Sequence, residues 1–93
     1  MEEMNEIQFQ ILDSLYFVEP FDNILAEVKG TEPIVASELK SLIRLGWVQV
    51  MDFDTQLGDF KKTMFYDSDN MRAFSYLATK EGMLRHNGFG QKQ

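Results

Sequence analysis

ILAEVKGT (residues 24–31) and VASELKSLIRLGWVQV (residues 35–50) decide how this chain folds. The first segment places Ile24, Leu25 and Val28 on one side of a short helix, with Asp22 as its N-cap and Asn23–Val28 as its span. Gly30 closes it, where a positive φ costs least. Thr31 or Glu32 then opens a second helix, and Pro33 is accepted there because first-turn amides have no intrahelical partner. At about 100° per residue, Val35, Leu39, Leu42 and Ile43 form one apolar side of that helix, which ends at Leu45 before Gly46. Trp47 to Asp54 follow at once and are rich in β-formers.

Upstream, Met4, Ile7, Ile11, Leu15 and Val18 fall on one stripe with Leu12 at its edge, so a first helix is expected over Met4–Val18. Phe9 and Tyr16 widen that stripe. Their rings either pack beneath neighbouring segments or present a patch to a partner, and both are carried as candidate partner-interface residues. Glu19-Pro20 ends the helix, because a residue before proline is pushed out of the α region.

Downstream, Ala73 to Ala78 reads as a second strand, antiparallel to the first around residues 55–72. That interval is long for a loop, and Phe60–Tyr66 is expected to add a strand or a flap within it. Asp52 and Asp54, on one side of the first strand, read as acids that protect an edge from aggregation. Thr79 caps a last helix through His86, followed by a loose tail over residues 87–93. The expected fold is α+β: a three-helix core, an antiparallel β-wing and a short C-terminal helix in one domain over residues 1–93. That element order is a winged helix-turn-helix, with a recognition helix over about 33–45 and a wing over about 47–78.

Leu39, Leu42 and Gly46, together with Tyr76, Leu77, Thr79 and Gly82, carry a more specific likeness. A Leu-x-x-Leu-x-x-x-Gly pattern leading to the wing, and a segment like Tyr-x-Leu-Thr-x-x-Gly closing it, resemble winged-helix regulators of the MarR-like and PadR-like kind. Here Ala78 is inserted before Thr79. The resemblance covers roughly residues 5 to 86 and implies transcription regulation through DNA binding. Those families build dimers through a long helix after the wing or a long first helix, and a dimer of that type is not assumed for this chain.

The residues themselves say where a nucleic acid would touch. Ser37, Lys40, Ser41 and Arg44 lie within about 100° of arc opposite the apolar side, with Glu38 outside it. Two hydroxyls and two cations suit a groove lined by base edges and phosphates. Lys61, Lys62 and Arg72 in the wing would meet the backbone, with Lys80 and Arg85 subsidiary.

Composition bounds the alternatives. Lys and Arg number 9 against 15 Asp and Glu, a net charge of −6, so the long-range field repels a polyanion and binding must rest on local clusters. Residues 1–50 hold only Lys29, Lys40 and Arg44 against nine acids, whereas the remainder is balanced. An acidic protein-interaction module on the same fold, without DNA binding, is therefore the rival reading, with a protein partner or homodimer as its object.

No cysteine, one histidine and no spacing suggestive of a nucleophilic triad argue against an enzyme, a thiolate metal site or a cofactor. Asp67-Ser68-Asp69-Asn70 begins like a calcium loop but has Arg72 and Ala78 where such a loop needs Gly and Glu. With neither a signal-peptide pattern nor an apolar run near the roughly 18 residues of a membrane span, a cytoplasmic protein is expected.

Overall fold

The computed structural model describes residues 4–89. Its elements, in order, are α1 (Glu6–Asp13), β1 (Glu19–Pro20), α2 (Phe21–Glu27), α3 (Glu32–Leu45), β2 (Val48–Asp54), β3 (Asp59–Thr63), β4 (Ser75–Ala78) and α4 (Lys80–Gly88), with a 3-10 turn at Met71–Ala73 before β4. The fold is α+β, four helices on a four-stranded antiparallel sheet in the order β1-β4-β2-β3.

The first helix is shorter than its apolar stripe. Asn5 caps it reciprocally with Gln8, and Ser14 ends it by donating its hydroxyl to the Ile11 carbonyl at 2.7 Å. Beyond that point tertiary bonding outweighs periodicity. The Leu15 carbonyl accepts from the Ala78 amide at 3.1 Å, so residues 14–18 leave the helix and run to the sheet. Glu19-Pro20 then pairs with Tyr76 and Ser75 as an edge strand, where a missing proline N–H is harmless.

Pro20, rather than Asp22, occupies the N-cap of α2, which starts two residues earlier than expected and ends at Glu27. Gly30 does not adopt positive φ; among the described residues only Gly46 and Gly58 do. What Gly30 provides is closeness, since a Cβ there would lie 3.2 Å from Ile7 Cδ1.

The second half follows the sequence more closely. Thr31 stands at the N-cap of α3, and Gly46 ends that helix in the left-handed region at φ 82°. Val48 and Val50 oppose Ala78 and Tyr76, which turns four apolar side chains towards the helices. The segment 55–72 is mostly organised. Its first part is a hairpin in which Asp54 accepts from the Gln56 and Leu57 amides, Gly58 turns with φ 68°, and β3 returns along β2. Strand β2 lies between β4 and β3 only as far as Met51; Asp52, Phe53 and Asp54 pair with β3 alone, and their other side has no strand neighbour among the described residues. Strand β4 begins at Ser75 rather than Ala73, because Met71–Ala73 is taken by the 3-10 turn.

One core joins these elements. Ile11, Leu12 and Leu15 meet Phe21 and Ile24, Val35, Leu39 and Leu42, and Trp47, Val48, Val50 and Tyr76. The Tyr76 ring is fully buried, and its hydroxyl donates to the Met71 carbonyl at 2.8 Å. Burial, with a smaller effect of Tyr66, pushes that phenol well above its ordinary range. Helix α4 is anchored by the Thr79 side chain, which accepts from the Gly82 amide at 3.0 Å and donates to the Gly46 carbonyl at 2.7 Å. It runs two residues past His86; the four residues after Phe89 lie outside the described part of the chain.

Gly82 has no room for a side chain, because its Cβ would fall 2.0 Å from the Trp47 carbonyl oxygen. Gly82→Ala is expected to cost about 3 kcal/mol and to lower the thermal midpoint by at least about 12 °C. Gly88→Ala, which meets open space, should stay within about 0.5 kcal/mol of the parent; equal midpoints for the two variants would refute the close contact. The Tyr76 phenol gives a second expectation. Because the folded state holds its proton more tightly, stability is complete below the unfolded value of about pH 10 and falls as pH rises beyond it. Urea midpoints measured above about pH 10 should show that fall, and Tyr76→Phe should flatten it.

Candidate nucleic-acid interface

The outer face of α3 follows from the same periodicity that builds the core. With Val35, Leu39 and Leu42 wholly buried, Ser37 and Arg44 on the opposite side are exposed, and Lys40 and Ser41 are half-buried beside them. Arg44 Nη2 donates to Ser41 Oγ at 3.3 Å, which draws the guanidinium along the face. Glu38, the acid nearest in sequence, is engaged elsewhere. Its Oε1 accepts from Gln8 Nε2 at 2.9 Å and Asn5 Nδ2 at 3.3 Å, which holds it against the start of α1. Neither Lys40 nor Arg44 has a carboxylate within ion-pairing distance among the described residues. The four α3 candidates thus form one surface with both cations unpaired.

The wing candidates do not join them as a set. Arg72 is clamped between Asp22 and Glu32, the latter at 2.7 Å, and its guanidinium lies over the Phe21 ring at 5.5 Å. It ties the turn before β4 to the starts of α2 and α3. Each of these pairs is half-exposed and contributes about 0.5 kcal/mol, yet together they hold the charge away from an incoming phosphate. Lys61 pairs with Asp54 at 3.3 Å and stands opposite Asp52 in the ladder. The Leu57 amide, then Lys61, keeps the Asp54 carboxyl below its usual range. Lys62, opposite Met51, is exposed and has no ion pair among the described residues. Of the subsidiary residues, Arg85 is bound to Glu81 at 2.8 Å and covers the Trp47 ring.

Phe9 and Tyr16 meet around the single histidine. The Phe9 ring stacks on His86 at 4.4 Å and touches Phe89, whereas Tyr16 packs edge-on against His86 and brings its hydroxyl to 3.2 Å from Nδ1. His86 Nε2 lies 3.0 Å from Asp13 Oδ1. These two aromatic candidates therefore serve mainly inside the chain, latching α4 onto α1, with Tyr16 still half-exposed. Beside them Asp13, Phe17, Glu19 and Glu27 border an open groove of about 570 Å³.

Sequence reasoning passed over three features. The Asp22–Arg72–Glu32 clamp spans fifty residues and has no local signature. The histidine latch joins residues more than seventy apart, again without a periodic cue. The Phe53–Phe60 pair, edge-to-face at 5.2 Å, was accessible in principle, because Asp54 and Gly58 between two β-forming runs are a hairpin signal. Against models of protein families, curated proteins and solved structures, the chain has no match.

His86→Ala removes one stacked and one edge-on ring contact together with the bond to Asp13. We expect a loss of about 2 kcal/mol, with hydrogen exchange accelerated first in residues 80–89. Unchanged protection of that segment would contradict the latch.

Proposed function

We propose that this protein is a small winged-helix DNA-binding domain of the transcription-regulator type, with α3 as its recognition helix. The observation that carries the reading is the pairing state of α3: among the described residues Lys40 and Arg44 have no ion pair beside Ser37 and Ser41, while Glu38 is turned to α1. The order α1-β1-α2-α3 followed by an antiparallel hairpin and a closing strand supports the winged-helix assignment. So does the left-handed Gly46, which turns the chain straight from α3 into β2.

Its mechanism is occupancy. Arg44 and Lys40 meet guanine edges or phosphates, and the two serine hydroxyls bond to either. Lys62 supplies a backbone contact from the wing; Arg72 and Lys61 are left out of the contact set because carboxylates hold them. With a net charge of −6 the domain gains nothing from long-range steering, so a single copy binds weakly and depends on this patch. Freedom from cysteine suits a reducing compartment, and we place the protein in the cytoplasm. No helix among the described residues is long and apolar enough to cross a membrane.

A rival reading, an acidic protein-interaction module, is favoured by the groove bordered by Asp13, Glu19 and Glu27, beside which Phe17 is 77% exposed. Fluorescence anisotropy with a mixed-sequence duplex across a salt series separates the two. DNA binding should weaken steeply with salt, and the double variant Lys40→Ala with Arg44→Ala should reduce the log–log slope by about 2. Arg72→Ala should leave that slope unchanged. Absence of binding at low salt would leave the interaction module as the standing reading.

A further inference from the structure

The hairpin formed by β2 and β3 ends the sheet. Among the described residues β3 pairs only with β2, so its other side is an open edge. That edge is neither short nor apolar in a disorderly way. Phe53 and Phe60 form their edge-to-face pair on one face and are 51% and 37% exposed, and Leu57 at the turn is 68% exposed. On the other face Asp59, Lys61 and Thr63 alternate, following the ladder that opposes them to Asp54, Asp52 and Val50. The Phe60 amide donates to Asp59 Oδ1 at 2.7 Å, a local partner standing in for a strand neighbour.

We propose that β3 is a homodimerisation edge: two copies pair antiparallel about a two-fold axis through Phe60, joining two four-stranded sheets into one of eight. A two-fold interface requires a self-complementary surface, and β3 is one. Antiparallel neighbours on one face must have matching parity, so the axis falls on a residue of β3. With Phe60 opposite itself, Asp59 of each copy faces Lys61 of the other, giving two opposite-charge pairs. The same register lines up Phe53, Phe60 and their two counterparts as a continuous aromatic row across the joint. Moving the axis to Lys61 sets two lysines against each other, which like-charge repulsion disfavours. The Phe60 amides then exchange Asp59 for the facing carbonyl, which frees both carboxylates for their new partners.

The opposite edge of the sheet is β1, two residues long and containing Pro20, which has no N–H to offer. The other unpaired strand positions among the described residues, Asp52, Phe53 and Asp54 of β2 beyond the end of β4, are three residues long and carry two carboxylates, so growth stops at two copies rather than continuing as a filament. A nucleic-acid backbone is a poorer occupant of the hairpin, because Asp52, Asp54 and Asp59 surround Lys61. This inference does not depend on α3 contacting DNA.

Sedimentation equilibrium on the full chain tests it. The parent should associate to twice 10.8 kDa, and Lys61→Asp and Asp59→Lys should each weaken self-association about tenfold, because each sets like charges across the joint twice. Mixing these two variants should restore the dimer, since acidic and basic hairpins then complement one another, and a folding fault in either chain is not repaired by mixing. The absence of cysteine allows a second readout: Phe60→Cys should form an intermolecular disulfide, its Cα atoms being about 5.5 Å apart in a hydrogen-bonded pair, and Gln56→Cys should not. A parent that stays monomeric at every concentration would overturn the proposal. So would a dimer insensitive to both charge reversals, a mixture that fails to re-associate, or equal cross-linking at 56 and 60. Lys61→Asp weakening duplex binding while the parent sediments as a monomer would assign the hairpin to nucleic acid instead.

Discussion

The backbone approach between Trp47 and Gly82 governs how the molecule is put together. The Trp47 carbonyl accepts from the Thr79 amide at 2.9 Å, its neighbour Gly46 accepts from the Thr79 hydroxyl, and the first turn of α4 lies so close that a Cβ cannot fit. Gly46 is also the left-handed terminus of α3, and the Trp47 amide reaches back to the Leu42 carbonyl. One short stretch thus fixes the end of α3, the start of β2 and the docking of α4. With that end fixed and Val35, Leu39 and Leu42 sunk in the core, the helix has one rotational setting, and its outer residues are decided.

Charge is then sorted by contacts more than by sequence position. Acids outnumber bases, yet many are engaged: Glu38 with α1, Asp22 and Glu32 with Arg72, Asp54 with Lys61 and the turn amides, Glu81 with Arg85. Screening and half-exposure keep each such pair small in energy. Their greater effect is on availability, since they withdraw Arg72 and Lys61 while Lys40, Arg44 and Lys62 have no ion pair among the described residues. The β2–β3 hairpin is left with one ion pair among the described residues, Lys61 with Asp54, with Lys62 outside it, and with exposed Phe53 and Phe60 rings.

Much of the second half was legible because local rules and tertiary demands agree there. Thr31, Pro33 and Gly46 mark both ends of α3, and the valines of β2 match the pleat of β4. The first half was harder. The stripe from Met4 to Val18 is helical in period, but the Leu15 carbonyl is claimed by the Ala78 amide, and periodicity carries no information about a strand sixty residues away. Gly30 was misread for a similar reason: its need is proximity to Ile7, not a left-handed backbone. Of the candidate residues, the α3 set came from helical spacing and stays together on one face. The wing and aromatic candidates depended on partners that only the fold reveals, Asp22 and Glu32 for Arg72 and His86 for Phe9 and Tyr16.

We propose that α3, held by the Trp47–Gly82 junction, offers Ser37, Lys40, Ser41 and Arg44 to a nucleic acid. Chemical-shift mapping of the labelled protein titrated with a mixed-sequence duplex at low salt tests this most directly. The account requires the largest perturbations along residues 37–44, with a lesser effect at Lys62. Spectra unchanged by duplex, or shifts gathered instead around Asp13, Glu19 and Glu27, would contradict it.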